Sequence, residues 1–380
     1  MYIFLLTFFL LYGAMHLYVF LKARAAIAFS ANTGIYLILF MTVMVFSPFI
    51  IRFSERLELN LFARFMSYIS YTWMGILFLF FSASVCMDIY RLMVYIAGSV
   101  FHWNLSSLIP SARLSFYLPV ILSVIIGIYG YFEALNIRTE KVSIKTSKIP
   151  EGIGRLRIVQ ISDVHIGLII KEERLKRILE EVKKADPDII VSTGDLVDGQ
   201  VDGLEGLAEL FKEINPKHGK FAVTGNHEFY AGLGQAMGFT EKAGFKVLRG
   251  EGLTVAGLIN IAGVDDPAGK NYNLYHDISE RKLLSQMLRD KFTLLLKHRP
   301  VVDKDSSGLF DLQLSGHAHK GQIFPFSLLT WLYYRHTVHA GHLRLVDDSY
   351  LYVSRGAGTW GPPIRFLSPP EVTVIELVSQ

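Results

Sequence analysis

The chain has 380 residues, enough for about two domains, and its formal net charge of +4 gives no reason to expect a nucleic-acid partner. Hydrophobic residues make up 51% of it and its mean hydropathy is +0.34, which is high for a soluble protein. The single cysteine, Cys86, excludes an intrachain disulfide framework and thiolate metal sites, so any metal must be held by His, Asp, Asn and carbonyl-type ligands.

Four apolar stretches precede residue 136, and each is long enough for a membrane-spanning helix, which needs about 20 mainly apolar residues. They run from Tyr2 to Leu21, from Gly34 to Ile51, from Tyr68 to Met87 and from Phe116 to Leu135. The first has no preceding basic residue and no small-residue cleavage pattern, so we expect an uncleaved anchor rather than a signal peptide. The sequence therefore predicts a multi-pass α-helical membrane region over residues 1–135.

Four crossings place both ends of this region on the same side of the membrane. Lys22, Arg24, Arg91 and Arg113 then lie on one side, and Arg52, Arg56, Arg64, Arg138, Lys141, Lys145 and Lys148 lie on the other. The positive-inside rule favours a cytoplasmic catalytic domain by a small margin, although the uncharged start of the chain argues the other way. Residues 136–150 are expected to be a basic linker. Asp88 and Arg91, one helical turn apart, are expected to neutralise each other near the interface.

From residue 151 onward, apolar runs alternate with helical patterns, which predicts an α/β domain over residues 151–380. Leu156 to Ser162, Ile189 to Thr193 and Phe221 to Thr224 are typical of buried strands, whereas Lys171 to Lys184 carries apolar residues at helical spacing. Later segments are richer in strands. Polar residues directly after the strands predict a site at their carboxyl ends.

Four short motifs in this domain supply oxygen and nitrogen ligands at strand ends. They are Asp163-Val164-His165, Gly194-Asp195-Leu196-Val197-Asp198, Gly225-Asn226-His227-Glu228 and Gly316-His317-Ala318-His319. A single Asp-x-His would be weak evidence, because Asp and His commonly cap turns. Four such motifs in this order, each after an apolar run, point to a metal site.

This order of motifs, with an isolated histidine in Lys297-His298-Arg299-Pro300, resembles that of the calcineurin-like metallophosphoesterases over about Leu156 to Leu377. Tyr352-Val353-Ser354-Arg355-Gly356 and Gly361-Pro362-Pro363-Ile364-Arg365 resemble the bacterial membrane-associated branch that includes UDP-2,3-diacylglucosamine hydrolases. The resemblance implies a four-layer α/β sandwich with two divalent metal ions (Mn, Fe or Zn). Periodicity alone indicates an α/β domain with a strand-rich second half.

The resemblance also implies a ligand set for each ion. One site would be completed by Asp163, His165 and His319, the other by Asn226, His298 and His317, with Asp195 bridging the two. Asp195 follows a glycine at a strand end and can face both ions. The two-residue spacing of His317 and His319 does not by itself decide which ion each of them binds.

His227 adjoins Asn226 but is not expected to bind metal, which leaves it free to protonate the leaving oxygen as a general acid. Asp198, three residues after Asp195, could orient His227 and raise its pKa. A lone histidine would be structural about as often as catalytic, and the surrounding motif favours the catalytic role.

Three basic residues near the motifs are candidate substrate contacts. Lys320 follows the last ligand and would either contact a substrate phosphate or be a solvated loop lysine. Arg355 and Arg365 are possible anion contacts, with a structural role favoured for each. Asp265-Asp266 is interpreted as a solvated turn before Pro267 rather than as a metal site.

The segment Ile323 to Leu332, followed by Tyr333, Tyr334 and Arg335, is apolar and aromatic and lies just after the last ligands. It fits either an interfacial helix that admits an acyl chain, or a core or dimer contact. Together with the membrane region, it favours a membrane-anchored phosphoesterase that cleaves a phosphoester or pyrophosphate bond of a lipid-linked substrate, using a metal-bound hydroxide. The alternatives are a tethered hydrolase of soluble nucleotides or phosphoproteins, and a non-catalytic scaffold, which predicts broken motifs.

Overall fold

The computed structural model describes residues 2–199, 204–345 and 348–380, and the chain divides into two compact units. The first unit comprises Met1–Phe132 and the short segment Gly361–Ile364. The second comprises Glu133–Trp360 and Arg365–Gln380.

Four long apolar helices form the first unit, as the sequence predicts. They are α1 (Tyr2–Ile27), α2 (Ala31–Arg56), α3 (Asn60–Phe101) and α4 (Ala112–Glu133). Each is long and apolar enough to cross a membrane. At about 1.5 Å per residue the 42-residue α3 extends roughly 60 Å, about twice the hydrocarbon thickness of a bilayer, so only part of it can lie within the hydrocarbon.

Small and polar side chains lie between these helices. Ser67 is fully buried and donates a hydrogen bond to the Ala63 carbonyl at 2.7 Å. Trp73 Nε1 donates to His16 Nε2 at 2.9 Å, so the ring proton of His16 is on Nδ1, which donates to the Tyr12 carbonyl at 2.8 Å. Ser67 and His16 thus find partners within the unit, as an apolar surrounding requires.

Asp88 of α3 forms its ion pair with Lys22 of α1 and not with Arg91, which corrects the expected neutralising pair. The Tyr18 hydroxyl also donates to Asp88, at 2.6 Å. Spacing along the sequence indicates only which residues are neighbours on one helix, whereas Lys22 contacts Asp88 from another helix. The pair therefore ties α1 to α3.

The described residues of the second unit form two six-stranded sheets and six α-helices. The strands are β1 (Arg138–Thr146), β2 (Arg155–Ile161), β3 (Ile189–Ser192), β4 (Lys220–Ala222), β5 (Lys246–Val247), β6 (Glu251–Val255), β7 (Ile259–Gly263), β8 (Phe292–Leu296), β9 (Leu312–Ser315), β10 (Gly341–Arg344), β11 (Tyr350–Val353) and β12 (Glu371–Ser379). The helices are α5 (Glu172–Lys184), α6 (Glu205–Lys212), α7 (Asn226–Ala231), α8 (Leu233–Lys242), α9 (Glu280–Ser285) and α10 (Phe326–Tyr333). The strand orders are β1-β12-β2-β3-β4-β5 and β10-β11-β9-β8-β7-β6.

These elements form the predicted four-layer sandwich. A core between the sheets includes Ile158, Val191 and Leu294, all fully buried. Helices α5, α6 and α8 cover the outer face of the first sheet, and α9 covers that of the second. The parallel strands at the centre are buried on both faces, which is why they are continuous apolar runs in the sequence.

Residues 136–150, expected to be a linker, instead contribute strand β1. It pairs in parallel with β12 over nine residues, from Arg138 opposite Glu371 to Thr146 opposite Ser379. Val142 and Ile144 pack against the inter-sheet core, while Lys141, Ser143 and Lys145 alternate with them and face outward. Because the outward positions carry charge and the strand lies at the sheet edge, its period-two pattern looks like a basic linker.

We predict that a fragment beginning at Glu133 folds, whereas one beginning at residue 147 melts at least about 5 °C lower. The shorter fragment loses the nine-residue ladder and uncovers the edge of β12. Thermal unfolding followed by circular dichroism measures the difference. Equal melting temperatures would show that β1 is a dispensable linker.

Candidate metal centre

The seven expected ligands lie at the carboxyl ends of strands from both sheets. Asp163 and His165 follow β2, Asp195 follows β3, Asn226 follows β4, His298 follows β8, and His317 and His319 follow β9. These strand ends meet at one edge of the sandwich, so residues far apart in sequence come together there.

Asp163, His165 and His319 form the first ligand group. His319 Nε2 lies 3.1 Å from His165 Nε2 and 3.2 Å from Asp163 Oδ1. Two ligand atoms that are each about 2.1 Å from one ion lie about 3 Å apart at right angles, so these separations fit a shared divalent ion. All three side chains are buried.

Asp195, Asn226, His298 and His317 form the second ligand group. His298 Nε2 lies 3.1 Å from both Asn226 Oδ1 and His317 Nδ1, and 3.2 Å from Asp195 Oδ2. The same Asp195 oxygen is 3.9 Å from His165 Nε2 of the first group. One carboxylate oxygen therefore faces both groups, as a bridging ligand must.

The backbone turns sharply at these ligands. Five of the seven have positive φ angles between 46° and 67°: Asp163, His165, Asp195, His317 and His319. This left-handed conformation is rare outside glycine and is found at sites where it aims a side chain. It lets successive side chains point at a common centre.

Two glycines are sterically required next to the ligands. A Cβ at Gly225 would lie 2.2 Å from Asp195 Oδ1, and a Cβ at Gly316 would lie 1.9 Å from Ser162 Oγ. Any larger residue would push the loops apart, which explains the glycine that begins each of these two motifs.

Glu228 holds two of the ligand loops together, a role that its place in the motif did not reveal. Its buried carboxylate accepts hydrogen bonds from the backbone N–H groups of Gly225 (2.7 Å), Asp195 (3.0 Å) and Leu196 (2.8 Å). The signal in the sequence is its place three residues after Gly225, from which a glutamate side chain can accept the backbone N–H that precedes a helix. The sequence does not indicate that the same carboxylate also binds the backbone of the Asp195 loop.

His227 and Asp198 are in contact. His227 Nδ1 lies 2.9 Å from Asp198 Oδ1, and the His227 ring lies edge to face with His165 at 4.7 Å between centroids. Burial lowers the pKa of His227, but Asp195 and Asp198 outweigh it and raise this pKa to about 10. By distance alone His227 also groups with His165 and Asp195, yet its Nδ1 is engaged by Asp198.

The charges in the site suit cation binding. Burial opposes ionisation of Asp163 and Asp195, but the neighbouring histidines outweigh it and hold the pKa of each carboxyl well below its usual range. Burial lowers the pKa of His317 to about 3 and that of His319 to about 4, so both are neutral at pH 7 and have lone pairs to offer. Although burial lowers the pKa of His298, Asp195 outweighs it and raises this pKa to about 10. An ion must therefore displace a proton from His298.

The three basic candidates have different surroundings. Arg365 is fully buried and donates to the carbonyl oxygens of Gly358 and Ser368, among others, and its Nη2 lies 3.2 Å from His319 Nδ1. Arg355 is paired with Glu371 at 2.6 Å and with Glu140. The structural role favoured for each fits these contacts, because Arg355 pairs with carboxylates of β1 and β12 while Arg365 binds the loop beside His319. Lys320 is half-buried next to the last ligand and stays a candidate contact.

Asp265 and Asp266 form buried ion pairs, which corrects the expected solvated turn. Asp265 pairs with Arg249 at 2.7 Å, and Asp266 accepts two hydrogen bonds from Arg299, at 2.7 and 3.1 Å. Both carboxylates are almost completely buried. Neighbouring residues in the sequence gave no sign of these arginines, which come from distant parts of the chain.

Comparisons with known proteins point to one family. Residues 156–321 match the family model of the calcineurin-like phosphoesterases. An uncharacterized metallophosphoesterase of Aquifex aeolicus is 40% identical over 260 residues, covering 67% of this chain and 97% of that protein. An uncharacterized metallophosphoesterase of Campylobacter jejuni is 32% identical over 342 residues, covering 87% and 88%. A transmembrane protein with metallophosphoesterase domain of Danio rerio is 31% identical over 274 residues, covering 68% and 62%.

The Campylobacter jejuni match is longer than the second unit, so it extends into the apolar helices. These helices and the transmembrane relative together indicate association with a membrane. The finer resemblance to UDP-2,3-diacylglucosamine hydrolases is not addressed by these relatives and stays a prediction.

We predict that Glu228→Ala lowers metal affinity about 10- to 100-fold. The change leaves three buried N–H groups without their acceptor and frees the Asp195 loop. Isothermal titration calorimetry with Mn²⁺ measures the affinity. Glu241→Ala, at an exposed position of α8, is the matched control and should bind as the wild type does. Unchanged affinity in Glu228→Ala would contradict the positioning role.

Proposed function

The chain belongs to the calcineurin-like metallophosphoesterases, and we propose that it is a membrane-anchored two-metal phosphoesterase acting on a phosphoester or pyrophosphate bond of a lipid-linked substrate. As a member of this family it is a metal-dependent hydrolase of phosphoric esters. The observation that carries the two-metal proposal is the single Asp195 oxygen that faces both ligand groups.

The seven side chains would be shared between two metal ions. Asp163, His165 and His319 would hold one ion, Asn226, His298 and His317 the other, and Asp195 both. When bound, two divalent cations supply charge that polarises the phosphoryl group and makes an attacking water more acidic. A donor set of nitrogen and oxygen atoms without thiolate fits Mn, Fe or Zn.

His227 would be the general acid. Its raised pKa keeps a proton on the ring at pH 7, and the contact with Asp198 at Nδ1 leaves Nε2 to donate to the leaving oxygen. Asp198 would orient the ring and stabilise its charge. Neither residue is needed to complete a ligand group, so their loss should affect the reaction more than the metals.

Helix α10 supports a lipid-linked substrate. Each of its eight residues is at least partly exposed, including Leu328 (55%), Leu329 (58%) and Trp331 (58%). A cluster of exposed apolar side chains of this kind marks an interaction site, and a bilayer would bury it favourably at roughly 25 cal/mol per Å². The helix begins a few residues after His319, so a lipid held there would be close in sequence to the ligands.

We infer that the four apolar helices cross the bilayer and that the catalytic domain is cytoplasmic, on the basis of the positive-inside rule.

A tethered hydrolase of soluble nucleotides or phosphoproteins would not need the exposed α10. A non-catalytic scaffold would not need a full ligand set.

We predict that Asp195→Asn lowers the content of both ions, because the amide is a weaker bridge between the two groups. His319→Ala, which removes a ligand of one group, should lose about one ion per chain. Elemental analysis of the purified protein gives the counts. A fully active wild type with no more than one ion per chain would overturn the two-metal proposal.

We predict that His227→Ala lowers kcat about 100- to 10,000-fold while metal content is retained. The loss should shrink for substrates with a good leaving group, which need less protonation. Adding Asp198→Ala to His227→Ala should cost little more, provided that metal content is unchanged, since Asp198 is also 3.4 Å from His165 Nδ1. Loss of metal in His227→Ala would show that His227 is a ligand.

We predict that replacing Leu328, Leu329 and Trp331 by glutamine lowers hydrolysis of a lipid phosphate in mixed micelles at least about tenfold. A water-soluble chromogenic phosphodiester should be cleaved at the wild-type rate. Leu288→Gln with Ile153→Gln is the matched control, because these residues are exposed but lie outside α10. Equal losses on both substrates would mean that α10 is structural and would favour the soluble-substrate alternative.

A further inference from the structure

Three exposed aromatic side chains form a rim beside His227. The ring centroid of Tyr230 lies 5.3 Å from that of His227, and the centroid of Trp360 lies 6.1 Å from it. Tyr272 extends the rim, 6.3 Å from Tyr230. Their exposed fractions are 45% for Tyr230, 51% for Trp360 and 40% for Tyr272. We refer to these three residues as the aromatic rim.

Buried polar contacts fix the backbone that carries the rim. Gln322 Nε2 donates to the Trp360 carbonyl at 3.0 Å, and the Trp360 N–H donates to Gln322 Oε1 at 2.9 Å. This two-way bond holds the Trp360 backbone in place without any help from its side chain. The indole is therefore presented at a fixed point and leaves about half of its surface open.

The Asp266–Arg299 ion pair, which the proposed chemistry does not use, fixes the element that carries Tyr272. Asp266 caps the short helical turn Pro267–Tyr272 by accepting from the Ala268 N–H at 2.8 Å. The turn also packs closely on α7, since a Cβ at Gly269 would lie 2.7 Å from the Phe229 ring. Tyr230 and Tyr272 are thereby held in register with the helix that presents His227.

An aromatic rim with this degree of order is suited to binding a ring. Large aromatic side chains lose little conformational entropy on contact and offer a flat apolar face, which is why they dominate binding sites. The rim comes from three separate elements and adds to no core cluster among the described residues. Its position beside His227 identifies which half of a substrate it would meet, because the group protonated by His227 is the leaving group.

We propose that Tyr230, Tyr272 and Trp360 bind the leaving-group half of the substrate, and that this half carries a ring near the ester oxygen whose face stacks on aromatic side chains. The proposal rests on the proposed role of His227 as general acid. Two kinds of ring share the required chemistry, since the planar face of a nucleobase and the C–H face of a sugar ring both stack on an aromatic side chain. The acyl part of the substrate would then be on the other half, away from the rim.

The test measures how ring-bearing phosphates bind to the full-length, Mn²⁺-loaded chain in detergent. Adenosine 5′-monophosphate, glucose 6-phosphate and glycerol 3-phosphate each carry a phosphate on a CH₂ group, and they differ in having a nucleobase, a sugar ring or no ring beyond it. Inhibition constants against bis(p-nitrophenyl) phosphate and dissociation constants from calorimetry are measured for each. We expect a ring-bearing phosphate to bind about 10- to 100-fold more tightly than glycerol 3-phosphate.

Variants assign this preference to the rim. Trp360→Ala and Tyr272→Ala should each weaken binding of the ring-bearing phosphate at least about fivefold. Both variants should bind glycerol 3-phosphate and metal as the wild type does. Trp360→Phe should retain most of the binding of the ring-bearing phosphate. Leu288→Ala, at an apolar residue that is 52% exposed and lies outside both the rim and α10, is the matched control and should have no effect.

The outcomes separate the rim from the catalytic proposal. Tighter binding of adenosine 5′-monophosphate assigns the ring to a nucleobase, and tighter binding of glucose 6-phosphate assigns it to a sugar. Equal binding of all three phosphates by the wild type overturns the rim proposal, as does equal weakening of all three in Trp360→Ala. Absence of turnover with intact ring-selective binding would instead refute the catalytic proposal and leave the rim supported.

Discussion

The Asp195 carboxylate is the point on which the rest of the site depends. Its Oδ2 faces a histidine from each ligand group, and its Oδ1 accepts a hydrogen bond from the backbone N–H of His227 at 2.8 Å. The backbone behind it is held by Glu228, which also binds the Gly225 N–H. One buried acid thus links the ends of β3 and β4 to histidines that follow β2 and β8, on both sheets. A shift of this residue would be felt by both metal groups and by the candidate acid.

This dependence explains the unusual backbone around the site. Left-handed φ angles at non-glycine residues cost of order 1 kcal/mol or more each, and five of the seven ligands have them. The rigid sheets and the close glycine contacts at Gly225 and Gly316 hold them in place. The strain is local to the strand ends, where it aims side chains, and it is absent from the strands themselves.

The sequence predicts best those features that depend on residues close together along the chain. Continuous apolar runs predicted the central strands because parallel strands are buried on both faces, and the ligands follow those runs directly. Strand β1 resembles a linker in sequence because its outward residues include lysines. The partners of Asp88, Asp265 and Asp266 were missed because each is an arginine or lysine from another part of the chain. The burial of Arg365 has the same origin, since its acceptors are backbone carbonyls that only the folded loop brings together.

The concentration of buried acid also bears on stability. Asp163, Asp195 and Glu228 lie together with almost no solvent contact, and burial, followed by the charge of Asp195, raises the pKa of Glu228. Buried like charges oppose folding unless cations or hydrogen-bond donors compensate them. Histidines and backbone N–H groups provide part of this compensation, and bound divalent ions would provide the rest. Any ligand that binds the folded chain alone adds stability, about 2.7 kcal/mol at a hundredfold excess over its dissociation constant. The metals therefore belong to the folding energetics of the second unit as much as to its chemistry, and loss of a single ligand would weaken both.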